Sequence, residues 1–187
     1  MSGAVDTETS SRFSRADMVT AVIGVVVVAA LAWRFRSDPL EAIVVGVTAA
    51  ASTRLSQIDF REHRLPNRIV GPLAGFVAVG VLVLGAIDED LSRAGRALLI
   101  GAIVFAVLFV LGLANGIGMG DVKFSFPLAT LLAWLGQDHL VLAGFAMVLT
   151  AGLYTLGLML WKRSLRFFVP FGPFMAIGFV IAALLLG

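Results

Sequence analysis

Seven long apolar stretches occupy most of this 187-residue chain, at 18–33, 42–58, 69–87, 97–120, 124–137, 140–161 and 167–187. Only the second contains a charge, Arg54, near its end, where a long side chain can snorkel to an interface. Backbone buried in hydrocarbon must satisfy its own hydrogen bonds, and about 20 residues of helix span a bilayer. With 59% hydrophobic and 14% charged residues and a mean hydropathy of +0.99, a soluble globule is excluded. The expected fold is an all-α polytopic membrane bundle of about seven transmembrane helices. Six is the fallback, because 124–137 is short for a crossing.

Residues 1–17 are polar, rich in Ser and Thr, and predict a disordered cytoplasmic tail. Residues 18–187 then form one membrane-embedded domain. The first apolar run has basic residues ahead of it, as a signal peptide does. It is followed by Trp33-Arg34-Phe35-Arg36 rather than a small-residue cleavage site, so it reads as an uncleaved anchor. With the N-terminus in the cytoplasm, Arg12, Arg15, Arg54, Arg61, Arg64, Arg68, Lys123, Lys162, Arg163 and Arg166 lie inside. Only Arg34, Arg36, Arg93 and Arg96 lie outside, which favours that orientation. These short basic clusters between apolar runs are topology signals, so the expected partner is the lipid bilayer and no nucleic acid. The absence of cysteine excludes thiolate catalysis, and two isolated histidines make a metal site improbable. No metal or cofactor is expected, and any catalysis should use oxygen chemistry.

Two carboxylates stand out against this background. Asp59 closes one apolar run and Asp121 follows Gly116-Ile117-Gly118-Met119-Gly120. Ionisable groups at membrane depth are costly and usually functional. Two strong spans separate the pair, so the chain leaves one face after Asp59 and returns to it before Asp121. Both carboxyls therefore end at the same face. Two neighbouring carboxyls share one proton rather than both ionising, and such a dyad can activate water against a peptide carbonyl. Either aspartate alone also fits a plainer role as a helix cap or an interfacial charge, Asp121 at the helix opening with Val122.

The segment Asp59-Phe60-Arg61-Glu62-His63-Arg64-Leu65-Pro66-Asn67 and the segment Gly118-Met119-Gly120-Asp121-Val122-Lys123 together resemble the type IV prepilin peptidases, membrane aspartic proteases of the GxGD type. The resemblance covers roughly residues 42 to 187 and includes Pro170-Phe171-Gly172-Pro173-Phe174 as the entry to the last span. It implies the GxGD aspartic protease fold, with Asp59 and Asp121 as the catalytic pair. It also implies a pilin-like precursor as substrate, cut at the cytoplasmic membrane face between a short basic leader and an apolar helix. Longer relatives carry an N-terminal methylating portion, often with a cysteine cluster. This chain resembles the short form without it, similar to the peptidases of Flp or tight-adherence pili and of archaeal-type preflagellins. Phe124 stands where many relatives have Leu.

The supporting residues admit more than one reading. Gly116, Gly118 and Gly120 either open the backbone beside Asp121 for an extended substrate or let helices pack closely. Lys123 either lowers the pKa of Asp121 or orients the loop, or is an interfacial lysine with no such purpose. Pro66 and Asn67 are expected to form the turn that starts the next helix, with Asn67 as a side-chain cap, and so to aim Asp59. Glu62 is a weak acidic contact for a basic leader, His63 a solvated loop residue, and Pro170 and Pro173 structural. The competing class is a proton- or cation-coupled transporter subunit. Its carboxylates would lie nearer mid-membrane, and no inverted repeat is visible here. A presenilin-like protease shares Gly-x-Gly-Asp but normally places its first aspartate inside a helix. A purely structural membrane subunit is the remaining alternative.

Overall fold

The apolar runs become helices. The computed structural model describes residues 15–62, 65–114, 118–162 and 170–186. Its elements are α1 (Arg15–Arg34), α2 (Pro39–Glu62), α3 (Asn67–Ile87), α4 (Leu91–Leu113), α5 (Met119–Leu135), α6 (Gln137–Lys162) and α7 (Gly172–Leu185). Helices α1, α3, α4 and α6 are long and apolar enough to cross a membrane by themselves. The protein is a multi-pass membrane helix bundle.

Its surface is apolar, unlike that of a soluble protein, and its apolar core also encloses several polar groups. Val25, Val79, Leu99, Val110, Val141 and Leu160 point outward, while Thr48, Ser52, Asp59, Asp121, Ser125, Thr130 and His139 are buried. Lipid solvates the first set at no cost, and the second must find partners inside. On α2 the hydroxyls do so along the helix itself. Thr48 donates to the Val44 carbonyl at 2.7 Å, Ser52 to that of Thr48 at 2.7 Å and Ser56 to that of Ser52 at 2.8 Å.

Helix boundaries depart from the apolar runs wherever a charge ended a run without ending the helix. The first helix begins at Arg15, inside the segment expected to be tail, and residues 1–14 lie outside the described residues. The start of α4 takes in Arg93 and Arg96, because the Asp90 carboxylate caps it by accepting the Arg93 N–H at 2.8 Å. The start of α5 takes in Asp121 and Lys123. Eleven residues of this 17-residue helix are buried, Asp121, Val122, Phe124 and Trp134 among them. It packs against α3, α4, α6 and α7, so it is the central post of the bundle. Close approach between α6 and α7 depends on Gly178, where a Cβ would collide with the Ala143 carbonyl oxygen.

The start of α2 and the end of α5 meet at one end of the bundle. There the Trp134 indole N–H donates to Glu41 at 3.0 Å. The Arg93 guanidinium lies 4.4 Å from the Trp134 ring centroid and donates to its carbonyl at 3.1 and 2.7 Å. Nothing in the sequence reading pointed to this cluster.

Candidate active site

At the other end of the bundle, the end of α2 meets the starts of α5 and α7. Asp59 continues the buried stripe Thr48, Ser52, Leu55, because steps of four, three and four residues return to one helix face. Asp121 is the third residue of α5. Both carboxylates are enclosed, with only 4% and 6% of their residue surface exposed. They converge on the first residue of α7: a Cβ built on Gly172 would lie 2.9 Å from Asp59 Oδ2 and 3.4 Å from Asp121 Oδ1. The two oxygens can be no farther apart than these two distances laid end to end. The backbone amide of Gly172 faces the Asp121 carboxyl, while Oδ1 of Asp121 has no partner within hydrogen-bond limits among the described residues.

The Leu-Pro-Asn turn is latched onto the start of α5. A Cβ on Gly120 would lie 2.8 Å from the Leu65 Cβ, so the missing side chain admits buried Leu65. One turn of α5 later, Lys123 Nζ donates to Asn67 Oδ1 at 3.1 Å. This contact fits a Lys123 that orients the loop. Pro66, with φ −71°, is the residue that opens α3; Asn67 is that helix's first residue and makes no cap, its side-chain oxygen being held by Lys123 instead. Asp121 is not a cap either, because α5 opens at Gly118 without a side-chain cap bond. Gly118 sits against the same carboxylate, its Cβ position 3.1 Å from Asp121 Oδ2. At Gly120 the close-packing reading is therefore the one with a visible neighbour, and Gly116 lies outside the described residues.

The remaining residues are peripheral. Glu62 is exposed at the end of α2, and Arg68 is exposed on α3. Arg61 forms an ion pair with Asp17 at the start of α1. His63 and Arg64 lie outside the described residues. Sequence reasoning missed Gly172. Its signal was present as a glycine in the segment Pro170-Phe171-Gly172-Pro173, read only as the entry to a helix.

Chemically, two buried carboxyls facing one glycine can hold a proton between them and present both oxygens to a small reactant. Residues 46–187 match the family described as the type IV leader peptidase family. The chain belongs to that family. It is 30% identical over 188 residues to the prepilin leader peptidase/N-methyltransferase of Aeromonas salmonicida strain A449, covering 94% of this chain and 58% of that protein. The Aeromonas hydrophila protein of the same name is also 30% identical, with 94% and 59% covered. The leader peptidase HopD of Escherichia coli is 34% identical over 142 residues, covering 71% of this chain and 87% of that one. The chain thus spans less than two thirds of the length of the Aeromonas relatives. No solved structure matches it. The family match begins inside α2, so Asp59, the Leu-Pro-Asn turn, Asp121 and Gly172 all fall within it.

Proposed function

We propose that this protein is a prepilin leader peptidase of the aspartic type, in which Asp59 and Asp121 are the catalytic residues. One carboxylate takes a proton from water as the water oxygen bonds to the scissile carbonyl carbon. The other carboxyl gives its proton to the carbonyl oxygen. Collapse of the tetrahedral intermediate breaks the C–N bond. The departing amine takes the proton from the first carboxyl and the second recovers one from the intermediate, so the pair again holds a single proton. The observation that carries this reading is the convergence of two buried carboxylates on Gly172.

The substrate of this reading is a pilin-like precursor with a basic leader and an apolar helix, held in the cytoplasmic membrane. Ten of the chain's fourteen Lys and Arg fall on the side of the bundle that bears the aspartates in the N-in topology, which supports cleavage at the cytoplasmic face. Gly118, Gly120, Lys123, Pro66 and Asn67 keep the pair in register through the latch between the turn and α5. The role of Glu62 is a weak contact to the leader.

Co-expression with candidate pilins tests the assignment. Asp59→Asn and Asp121→Asn should each slow leader removal by at least about a thousandfold while the detergent-solubilised protein keeps its helix content. Normal processing by either variant overturns the assignment.

A further inference from the structure

A second feature starts one turn from the carboxylates. On α5, the steps from Asp121 to Ser125, Leu128, Ala129 and Leu132 stay on one helix face. The last four of these floor a cavity of about 180 Å³ between α4 and α6, and Met175, one turn beyond Gly172 on α7, closes its near end. From Ser125 to Leu132 the floor runs about 10 Å into the membrane. The groove therefore begins one helical turn, about 6 Å, from Asp121 and leads away from it.

We propose that this groove receives the apolar helix that follows the leader in the precursor. The proposal rests on the peptidase reading, and extends it to where the rest of the substrate lies. A cut at the junction of leader and helix requires that helix to leave the carboxylates straight into hydrocarbon, and the α5 face provides that path. The space takes side chains rather than a whole helix, so the partner would lie across the opening and send its side chains between α4 and α6. The lining suits an uncharged, variable partner. No charged residue lines it, and the Ser125 hydroxyl is already spent on the Val122 carbonyl at 2.7 Å. Met147 and Met175 adapt to different apolar shapes. A lipid acyl chain would fit the same lining, and the crosslinking arms below separate it from the precursor's helix. Lys123 lines a different cavity, against α3.

Gly144 of α6 gives a clean test. It lines the groove, and a Cβ there meets nothing within 4 Å. Gly144→Leu should fill the groove without a clash. Gly152→Leu, on the same helix at an equally open position outside the lining, is the control. The probes are a synthetic precursor with a basic leader and about 20 apolar residues after the cut, and the same leader truncated a few residues past the cut. In Gly144→Leu the KM for the full precursor should rise about tenfold while cleavage of the truncated peptide stays unchanged. Gly152→Leu should leave both unchanged. Equal effects on both probes, or none, overturn the groove while the peptidase reading stands. Failure of the unmodified protein to cut either probe would sink both.

Crosslinking covers a variant that folds poorly. The chain has no cysteine, so Gly144→Cys supplies its sole thiol. In an Asp121→Asn background, which keeps the precursor uncut, it should crosslink to a cysteine in the first turns of the precursor's helix. Gly152→Cys should not. Crosslinking to neither position, or to both alike, as when lipid fills the groove, overturns the proposal.

Discussion

The two ends of the bundle each set acid against α5, half-buried at one and buried at the other, and they treat it in opposite ways. At the end formed by the start of α2, Glu41 receives the Trp134 N–H, and Arg93 both stacks on that indole and binds its carbonyl. At the other end, Asp59 and Asp121 face each other across Gly172. Among the described residues at that end, Lys123 is held by Asn67 and Arg61 pairs with Asp17. A carboxylate set against α5 is thus common to both ends, and what separates them is its neighbour, an indole N–H at one and a second carboxyl at the other. The end built on the indole holds helices together. The end that sets carboxyl against carboxyl, where packing alone would favour a cation, is the one that carries the proposed chemistry.

That contrast can be broken in graded ways. Beyond the loss expected for the two aspartate variants, Gly172→Ala should have the next largest effect. Its methyl would enter the gap 2.9 Å from Asp59 Oδ2, lowering kcat by roughly ten- to a hundredfold with KM nearly unchanged. Relieving that approach requires a side chain or α7 to shift, so Tm should fall slightly, while kcat measured well below Tm keeps the full loss. Wild-type kcat in this variant would mean that the carboxyls need no gap.

Trp134→Phe probes the opposite end. It keeps a ring under Arg93 and the backbone carbonyl, and removes the N–H given to Glu41 together with part of a fully buried side chain. Stability should drop by about 2 kcal/mol, visible as a lower Tm, with cleavage at low temperature unaffected. A parallel loss of kcat would show that the two ends are not separable.

The smallest effect belongs to Asp90→Ala at the exposed cap of α4. The Ser92 hydroxyl and the Arg93 N–H hold the Asp90 carboxyl below its usual range. Its contribution is present above the ordinary carboxylate pKa and disappears as pH falls through the lowered one. The Tm gap between unmodified protein and Asp90→Ala should therefore be small at neutral pH and close on acidification. A gap that widens in acid would contradict the cap.

Much of this architecture was legible from hydropathy. Counting two spans between Asp59 and Asp121 put both carboxyls at one end, because membrane crossings alternate faces whatever their packing. What hydropathy misread were ends, since Asp121, Lys123, Arg93 and Arg96 interrupt an apolar run but are ordinary residues in a helix's first turns. The contact between Lys123 and Asn67 joins residues far apart in the chain and has no local signature. The same holds for Glu41 with Trp134, and for Gly172, whose importance lies in a side chain it lacks.

The shortness of α7 has its own consequence. Its 14 residues rise about 21 Å, well short of a hydrocarbon layer roughly 30 Å thick. A helix that stops so soon either draws the two leaflets together around it or leaves its first residue sunk below the lipid headgroups. In the second case the water of the proposed reaction has to come down a recess to meet Gly172, and in either case the thickness of the host bilayer becomes a quantity that the site can feel.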